Sequence, residues 1–214
     1  MLGIDISIHN HDKYRNGKLP WDKIKAAGVD FVIIRTGAGV SYNDPYFVSD
    51  VNDAHSVGLK AGAYHYSYAL SPSAAMNEAI LCKNVIEQSG VLLELPIFFD
   101  MEDGDGYKSR HGFNFSKRHV TDICESWLKQ IQPLNSGVYA SFSWFENYID
   151  WQYLHEKYHV PMWNAQYSII DMLQAYMWQF TEILQIDGNF YDGNILYDEK
   201  HHPGLEPFNF FHQS

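Results

Sequence analysis

The chain has 214 residues and a formal net charge of −11, with 46% hydrophobic and 19% charged side chains. This length accommodates one domain with a sizeable core, and the composition is that of a globular protein. The negative charge argues against nucleic-acid binding and against a polybasic membrane contact, since both require a surface rich in Lys and Arg.

Five strand–helix units are predicted in the first 157 residues, each with an apolar strand followed by a helix. The predicted strands are 3–7, 30–35, 60–68, 95–101 and 136–141. The predicted helices are 21–27, 45–56, 71–89, 116–132, 143–150 and 151–157. The third helix has the clearest limits, with Ser71 as N-cap, Pro72 in the first turn and Gly90 after the end.

The remainder of the chain predicts three strands with short connections, at 160–166, 176–181 and 190–197. Alternating strand–helix units build a parallel sheet, and eight strands can close into a barrel. We therefore predict an α/β fold, a TIM-like barrel of eight strands, over residues 1–200. A C-terminal tail is predicted at 201–214.

Patterns typical of metal sites, membrane spans and export signals are missing from the sequence. Cys82 and Cys124 fall in predicted helices without metal-ligand spacing, so we expect two buried thiols. No apolar run reaches 18 residues, and the start at Met1 lacks the basic and apolar regions of a signal peptide. We predict no metal, no cofactor and no membrane insertion. Either a signal has been removed or the protein leaves its cell by another route.

Two carboxylates one residue apart end the fourth predicted strand. Asp100 and Glu102 occupy positions i and i+2 and therefore point to the same side, about 7 Å apart by strand geometry. Such a pair suits cleavage of a glycosidic bond, in which one acid stays protonated while its neighbour is ionised. The alternative is an acidic turn that merely ends the strand, and the residues alone leave both interpretations open.

Further polar residues fall at the ends of other predicted strands, where the active sites of such barrels lie. These residues are Asp5, Arg35, His65, Gln166, Gln179 and Asp192. Four acids brought together from three strands repel one another, which costs free energy, so such a cluster is expected only where chemistry requires it. The four are Asp5, Asp192 and the pair at 100 and 102. We therefore expect these four acids at one mouth of the barrel.

Eight segments in order resemble glycoside hydrolase family 25, the lysozymes (N-acetylmuramidases) of bacteria and phages, over residues 3–197. The most distinctive are Tyr64-His65-Tyr66, Asp100-Met101-Glu102, Trp163-Asn164-Ala165-Gln166-Tyr167, Trp178-Gln179-Phe180 and Asp192-Gly193-Asn194. This resemblance implies a (β/α)5(β)3 barrel. We align the closing acid of the family with Asp192, because Asn194 follows it within a strand, whereas Asp187 sits in a turn.

The resemblance also implies the chemistry. The target is the β-1,4 bond from N-acetylmuramic acid to N-acetylglucosamine in bacterial cell-wall peptidoglycan, with Glu102 as general acid and Asp100 assisting. In one route Asp100 orients the 2-acetamido group of the substrate, as similar chitinases do. In the rival route Asp192 or Asp5 acts directly as nucleophile or base. The anomeric outcome, retaining or inverting, stays open.

Aromatic and amide side chains are the candidate sugar contacts. These candidates are Tyr64, Tyr66, Tyr139, Trp163, Gln166 and Trp178. We expect a monomer that is secreted or phage-released and acts on the cell wall. Two alternatives are a non-catalytic glycan-binding module on the same barrel and a hydrolase of another N-acetylated glycan such as chitin.

Overall fold

A computed structural model describes residues 1–11 and 17–197 of the chain as a barrel surrounded by helices. The strands are β1 (Leu2–Ile6), β2 (Phe31–Ala38), β3 (Tyr42–Asn43), β4 (Lys60–Tyr66), β5 (Ile97–Asp100), β6 (Ser136–Ser141), β7 (Met162–Ala165), β8 (Met177–Ile186) and β9 (Asn189–Leu196). All but β3, which pairs only with the end of β2, belong to the barrel.

The barrel closes because β1 pairs with both neighbours, parallel to β2 and antiparallel to β9. From β2 through β4, β5, β6, β7 and β8 every pairing is parallel. The predicted eight-stranded α/β barrel is confirmed. The predicted tail at 201–214 lies outside the described residues, and the domain boundary at residue 200 stays a prediction.

The last strand runs against the others, because β8 and β9 form a hairpin. Asp187 and Gly188 make its two-residue turn, and both have positive φ, 50° and 79°. A turn of this kind matches the twist of paired strands, and an Asp-Gly sequence favours it. Both hairpin strands extend beyond the predicted limits, to Ile186 and from Asn189.

The helices are α1 (Ile8–His11), α2 (Trp21–Ala26), α3 (Phe47–Ser56), α4 (Pro72–Ser89), α5 (Tyr107–Arg110), α6 (Lys117–Ile131), α7 (Phe142–Asn147) and α8 (Trp151–Tyr158). The single turns α1 and α5 were not predicted from the sequence. The predicted limits of α4 are confirmed: the Ser71 hydroxyl accepts from Ala74 N at 3.3 Å, and Gly90 follows with φ of 66°. Within the described residues, no helix combines the length and hydropathy that crossing a membrane requires.

Two apolar clusters divide the side chains of each strand between the inside of the barrel and the helix layer. In β5, Phe98 packs inside the barrel, whereas Phe99 packs outside, stacked on Trp127 of α6 at 5.0 Å. Because side chains alternate along a strand, Asp100 shares the inward direction of Phe98. The outer layer also holds Cys82 and Cys124, which are buried free thiols as expected.

Candidate active site

A cleft of about 660 Å³ opens at the end of the barrel where the parallel strands finish. This volume lies within the range of small-molecule sites. Six acids contribute to its lining: Asp5, Asp100, Glu102, Asp105, Glu182 and Asp192. The structure therefore brings the four sequence-predicted acids to one cleft.

Asp192 reaches this cleft in a way that the sequence did not suggest. It was expected at the end of a predicted strand, but it is the fourth of the eight residues of β9, which runs antiparallel to β1. Asp5, towards the end of β1, is its direct partner in the β1–β9 register. Asp187 occupies the hairpin turn and is not among the residues that line the cleft.

Asp5 is buried and held by two amides. Its Oδ2 accepts from Gln179 Nε2 at 2.9 Å and from Asn194 Nδ2 at 2.8 Å. Burial, followed by the nearby charge of Asp192, raises the pKa of Asp5 well above its ordinary value, although both amide bonds act in the opposite direction. Because two amides donate to the same oxygen, the Asp5 carboxyl group is fixed in place and is poorly suited to move during a reaction.

Aromatic donors fix the orientation of both amides. The indole of Trp163 donates to Asn194 Oδ1 at 2.8 Å, and the phenol of Tyr139 donates to Gln179 Oε1 at 3.0 Å. An indole N–H can only donate, so the Asn194 oxygen must face it and the amide nitrogen must face Asp5. Burial raises the pKa of Tyr139 well above its ordinary value, which keeps its phenol a neutral donor.

Asp100 ends β5 with its carboxyl group inside the barrel, 4% exposed. Within the described part of the chain, its Oδ1 is buried and has no hydrogen-bond partner. Burial raises the pKa of Asp100 well above its ordinary value, the charge of Glu102 adds to this, and the charge of Lys108 opposes it. A buried carboxyl oxygen without a donor is costly, so this atom is suited to a ligand N–H.

Glu102 is half-buried, and its carboxyl group lies in the wall of the cleft. Burial raises its pKa, with Lys108 opposing the shift and Asp105 and Asp192 adding to it. A Cβ at position 104 would lie 3.1 Å from Glu102 Oε1, so Gly104 leaves room for this carboxyl group. A carboxylic acid that faces a cleft and has a raised pKa has the properties of a general acid.

Four of the six predicted sugar contacts line the cleft, namely Tyr64, Tyr66, Tyr139 and Trp163. Gln166 and Trp178 do not. Trp178 neighbours the inward-facing Gln179 and therefore points outwards, where its indole donates to Gln166 O at 2.8 Å. The Gln166 side chain accepts from Met172 N at 3.0 Å. Both side chains thus stabilise the segment 166–175 rather than face the cleft.

His65 is a structural histidine outside the barrel. It is fully buried, with Nδ1 3.0 Å from the Thr36 hydroxyl and Nε2 2.8 Å from Gly39 O. Burial lowers the pKa of His65 to about 4, so the ring is neutral near pH 7. In the ranges 1–11 and 17–197, no group of three or more His, Cys, Asp or Glu side chains is arranged to hold a metal ion.

The model of the family "Glycosyl hydrolases family 25" matches residues 4–189. The chain belongs to this family. It is similar to Lysozyme M1 of Streptomyces globisporus (22% identity; 78% of this chain, 55% of the relative) and to the autolytic lysozyme of Clostridium acetobutylicum (26%; 79% and 46%). It thus spans about half the length of these two relatives.

The fold of this family 25 chain is also that of a solved structure. It resembles the modular autolysin LytC from Streptococcus pneumoniae, in complex with a synthetic peptidoglycan ligand, with a TM-score of 0.76 and 23% identity. The alignment covers 92% of this chain and 46% of LytC. Together with the family match, this similarity confirms the barrel predicted from the sequence.

Several residues of the family 25 cleft were not predicted from the sequence. The lining also includes Tyr68, Asp105, Tyr167, Glu182, Phe190 and Tyr191. Tyr167 donates to Gln179 Oε1 at 3.1 Å and so joins the amide network around Asp5. Lys108, buried behind the acids, was also missed, because a lysine in a polar segment is usually exposed.

Proposed function

We propose that this family 25 domain is a lysozyme that hydrolyses the β-1,4 bond from N-acetylmuramic acid to N-acetylglucosamine in peptidoglycan. The supporting observation is the convergence of four acids on one cleft, with the pKa of Asp5, Asp100 and Glu102 raised by burial. Groups with perturbed pKa values that share a cleft are candidates for acid–base chemistry. The peptidoglycan ligand bound to LytC suggests the same class of substrate.

Glu102 is the proposed general acid. Its raised pKa keeps the proton available, and its place in the cleft wall gives access to a leaving oxygen. The proton passes to the departing glycosidic oxygen as the bond to the anomeric carbon breaks. The same carboxylate then accepts a proton from the water that attacks the anomeric carbon, which restores the acid.

Asp100 is the proposed partner that orients the 2-acetamido group of the substrate. Its buried Oδ1, without a donor among the described residues, suits the acetamido N–H. The acetamido oxygen would then attack the anomeric carbon as the glycosidic bond breaks, giving a bicyclic intermediate that water opens. Asp5 suits direct attack less well, since two amides already hold its Oδ2. This route predicts net retention of the anomeric configuration.

The test is clearing of a suspension of Gram-positive cell walls, followed by mass spectrometry of the products. Glu102→Gln should lose clearing by a factor of at least about 100 while keeping its melting temperature. Glu156→Gln is the matched control, because Glu156 is an exposed acid on α8, outside the cleft lining. Full activity of Glu102→Gln would overturn the assignment of the acid.

The products separate the alternatives. A muramidase releases fragments with reducing N-acetylmuramic acid, whereas cleavage of chitin oligomers alone would indicate a different N-acetylated glycan. Wall binding without cleavage by the wild-type protein would indicate a glycan-binding module.

We also propose a monomer that acts at the cell wall outside the cytoplasm. Light scattering after size-exclusion chromatography tests the monomer, and fractionation of producing cultures tests the location.

A further inference from the structure

A buried lysine lies directly behind the cleft acids. Lys108, in the single turn α5, is 1% exposed. Its backbone N donates to Asp103 Oδ1 at 2.6 Å, and Ser109 N donates to Asp103 Oδ2 at 3.0 Å, so Asp103 anchors this turn. Fully buried lysines are rare in proteins and are normally paired with acids or held by hydrogen bonds.

The ammonium group of Lys108 connects the ends of two barrel strands. Its Nζ donates to Glu102 O at 2.6 Å and also to Ser67 O. Ser67 follows β4, and Glu102 follows β5. The Tyr66 ring lies 5.9 Å from Nζ. This cation therefore fixes the backbone of the residue that we propose as general acid.

Titratable groups from four elements and from the segment after β5 interact with Lys108. They are Tyr66 from β4, Glu78 from α4, Asp100 from β5, Glu102 and Asp103 from the segment after β5, and Cys124 from α6. Glu78 is 1% exposed, and its Oε1 accepts from Tyr68 N at 2.9 Å. Lys108 thus acts on three buried or half-buried carboxyl groups, those of Glu78, Asp100 and Glu102. Asp100 also faces Asp5 and Arg35, and Glu102 also faces Asp105 and Asp192.

Ionising all three carboxyl groups beside Lys108 would cost much free energy. Burial disfavours every charged group, and a negative charge at close range raises the pKa of a neighbouring acid, so that the acid keeps its proton. A glycosidase that uses a protonated acid needs a neighbouring group in the ionised form. The nearby positive charge of Lys108 favours one ionised group in the Asp100–Glu102 pair.

We propose that Lys108 is a positioning residue of the active site, which holds the backbone at Glu102 and supplies the charge that lets the Asp100–Glu102 pair carry one proton and one negative charge at neutral pH. This inference rests on the proposed function. It assigns Lys108 no contact with substrate, because the ammonium group is buried behind the acids.

The experiment compares the pH dependence of kcat/KM for Lys108→Met, Lys108→Arg and the wild type on a soluble peptidoglycan fragment. Loss of the cation should move both limbs of the profile to higher pH by about one unit and lower kcat about tenfold or more, with little change in KM. Lys108→Arg keeps the charge, so its limbs should stay at the wild-type pH. Unmoved limbs in a folded Lys108→Met would overturn the proposal.

Lys83→Met is the matched control. Lys83 Nζ also donates to a backbone carbonyl, Gln132 O at 2.7 Å, but this lysine is partly exposed and outside the cleft lining. Its removal should leave the pH profile unchanged. Shifted limbs in Lys83→Met would mean that loss of any positive charge moves the profile, which would overturn the specific role of Lys108.

Two further measurements cover the case in which Lys108→Met fails to fold. Glu78→Gln removes an acid that competes for Lys108, so the alkaline limb should move to lower pH, opposite to the effect of Lys108→Met. An unmoved alkaline limb would contradict the inference. NMR titration of the labelled Asp100 and Glu102 carboxyl carbons should show the pair losing its last proton at lower pH in Glu78→Gln than in the wild type, and coincident curves would contradict the inference. This titration needs no activity, so it tests Lys108 even if the wild type fails to cleave peptidoglycan, a result that would overturn only the proposed function.

Discussion

Asn194 should be one of the most costly polar residues of the cleft to replace. It is fully buried, accepts from the Trp163 indole and donates to the Asp5 carboxyl group. Asn194→Ala leaves the indole N–H without a partner, at about 1–3 kcal/mol, and removes a hydrogen bond to an acid, worth about 1.5–3 kcal/mol. We expect the two losses to add to about 2.5–6 kcal/mol in the free energy of unfolding, or roughly 5–24 °C in Tm for a chain of this length.

Urea denaturation followed by tryptophan fluorescence gives this free energy directly. Asn147→Ala is the matched control, because the exposed Asn147 amide also donates to an oxygen, Ser143 O at 2.8 Å. This control should change stability by no more than about 0.5 kcal/mol. If Asn194→Ala cost less than about 1 kcal/mol, the argument that this amide bridges two buried groups would be refuted.

A double-mutant cycle isolates the bond between the indole and the amide. Trp163→Phe removes the indole N–H and some packing in either background, but it breaks the hydrogen bond only when Asn194 is present. The two single changes together should therefore exceed the double change by about 1 kcal/mol or more. Strict additivity would mean that the 2.8 Å contact contributes nothing to stability.

Glu78→Gln should remove a pH-dependent loss of stability. Burial raises the folded-state pKa of Glu78 to about 7, so the folded chain binds more protons than the unfolded chain between pH 4.5 and 7. The free energy of unfolding of the wild type therefore falls as the pH rises through this window. Urea unfolding should show the wild type losing about 3 kcal/mol relative to this variant between about pH 4.5 and 8, and an equal difference at both ends would contradict the burial argument. Trp178→Phe should keep wild-type clearing of cell walls, with about 1 kcal/mol lost in stability for the indole bond, whereas a large loss of clearing would make Trp178 a sugar contact after all. Gly104→Val should slow clearing at an unchanged Tm, because its side chain would crowd the Glu102 carboxyl group, and unaltered clearing would show that Glu102 has room to shift.

The barrel could be predicted from the sequence because each buried strand is an apolar run that ends at a turn. The direction of the last strand could not, since an eight-strand count is compatible with parallel or antiparallel closure. The Asp187-Gly188 pair does favour a hairpin, and it was the local signal for the antiparallel β9. That direction brings Asp192 to the same mouth as Asp5.

The candidate site was predicted in part for a similar reason. The alternation of side chains along a strand, applied to the fourth predicted strand and its end, predicted a shared direction for Asp100 and Glu102. The same rule allows only one of Trp178 and Gln179 to face inwards, but it does not select between them. The burial of Lys108 could not be predicted from such an alternation, because it depends on contacts with residues distant in sequence, such as the hydrogen bond to Ser67 O.

The direction of a pKa shift does not by itself identify a functional acid in this protein. Glu125, on the surface, has its pKa lowered to about 2 despite some burial, because Lys157 and tyrosine hydroxyl groups donate to it, as expected of a structural ion pair. Glu78 and Asp100 are both buried with raised pKa values, and each has one oxygen without a partner among the described residues. Of these two acids, Asp100 lines the cleft and Glu78 does not, so a ligand can donate a hydrogen bond to the free oxygen of Asp100 alone. Glu78 instead faces Lys108, and a buried acid with no access to substrate can influence the reaction only through that cation.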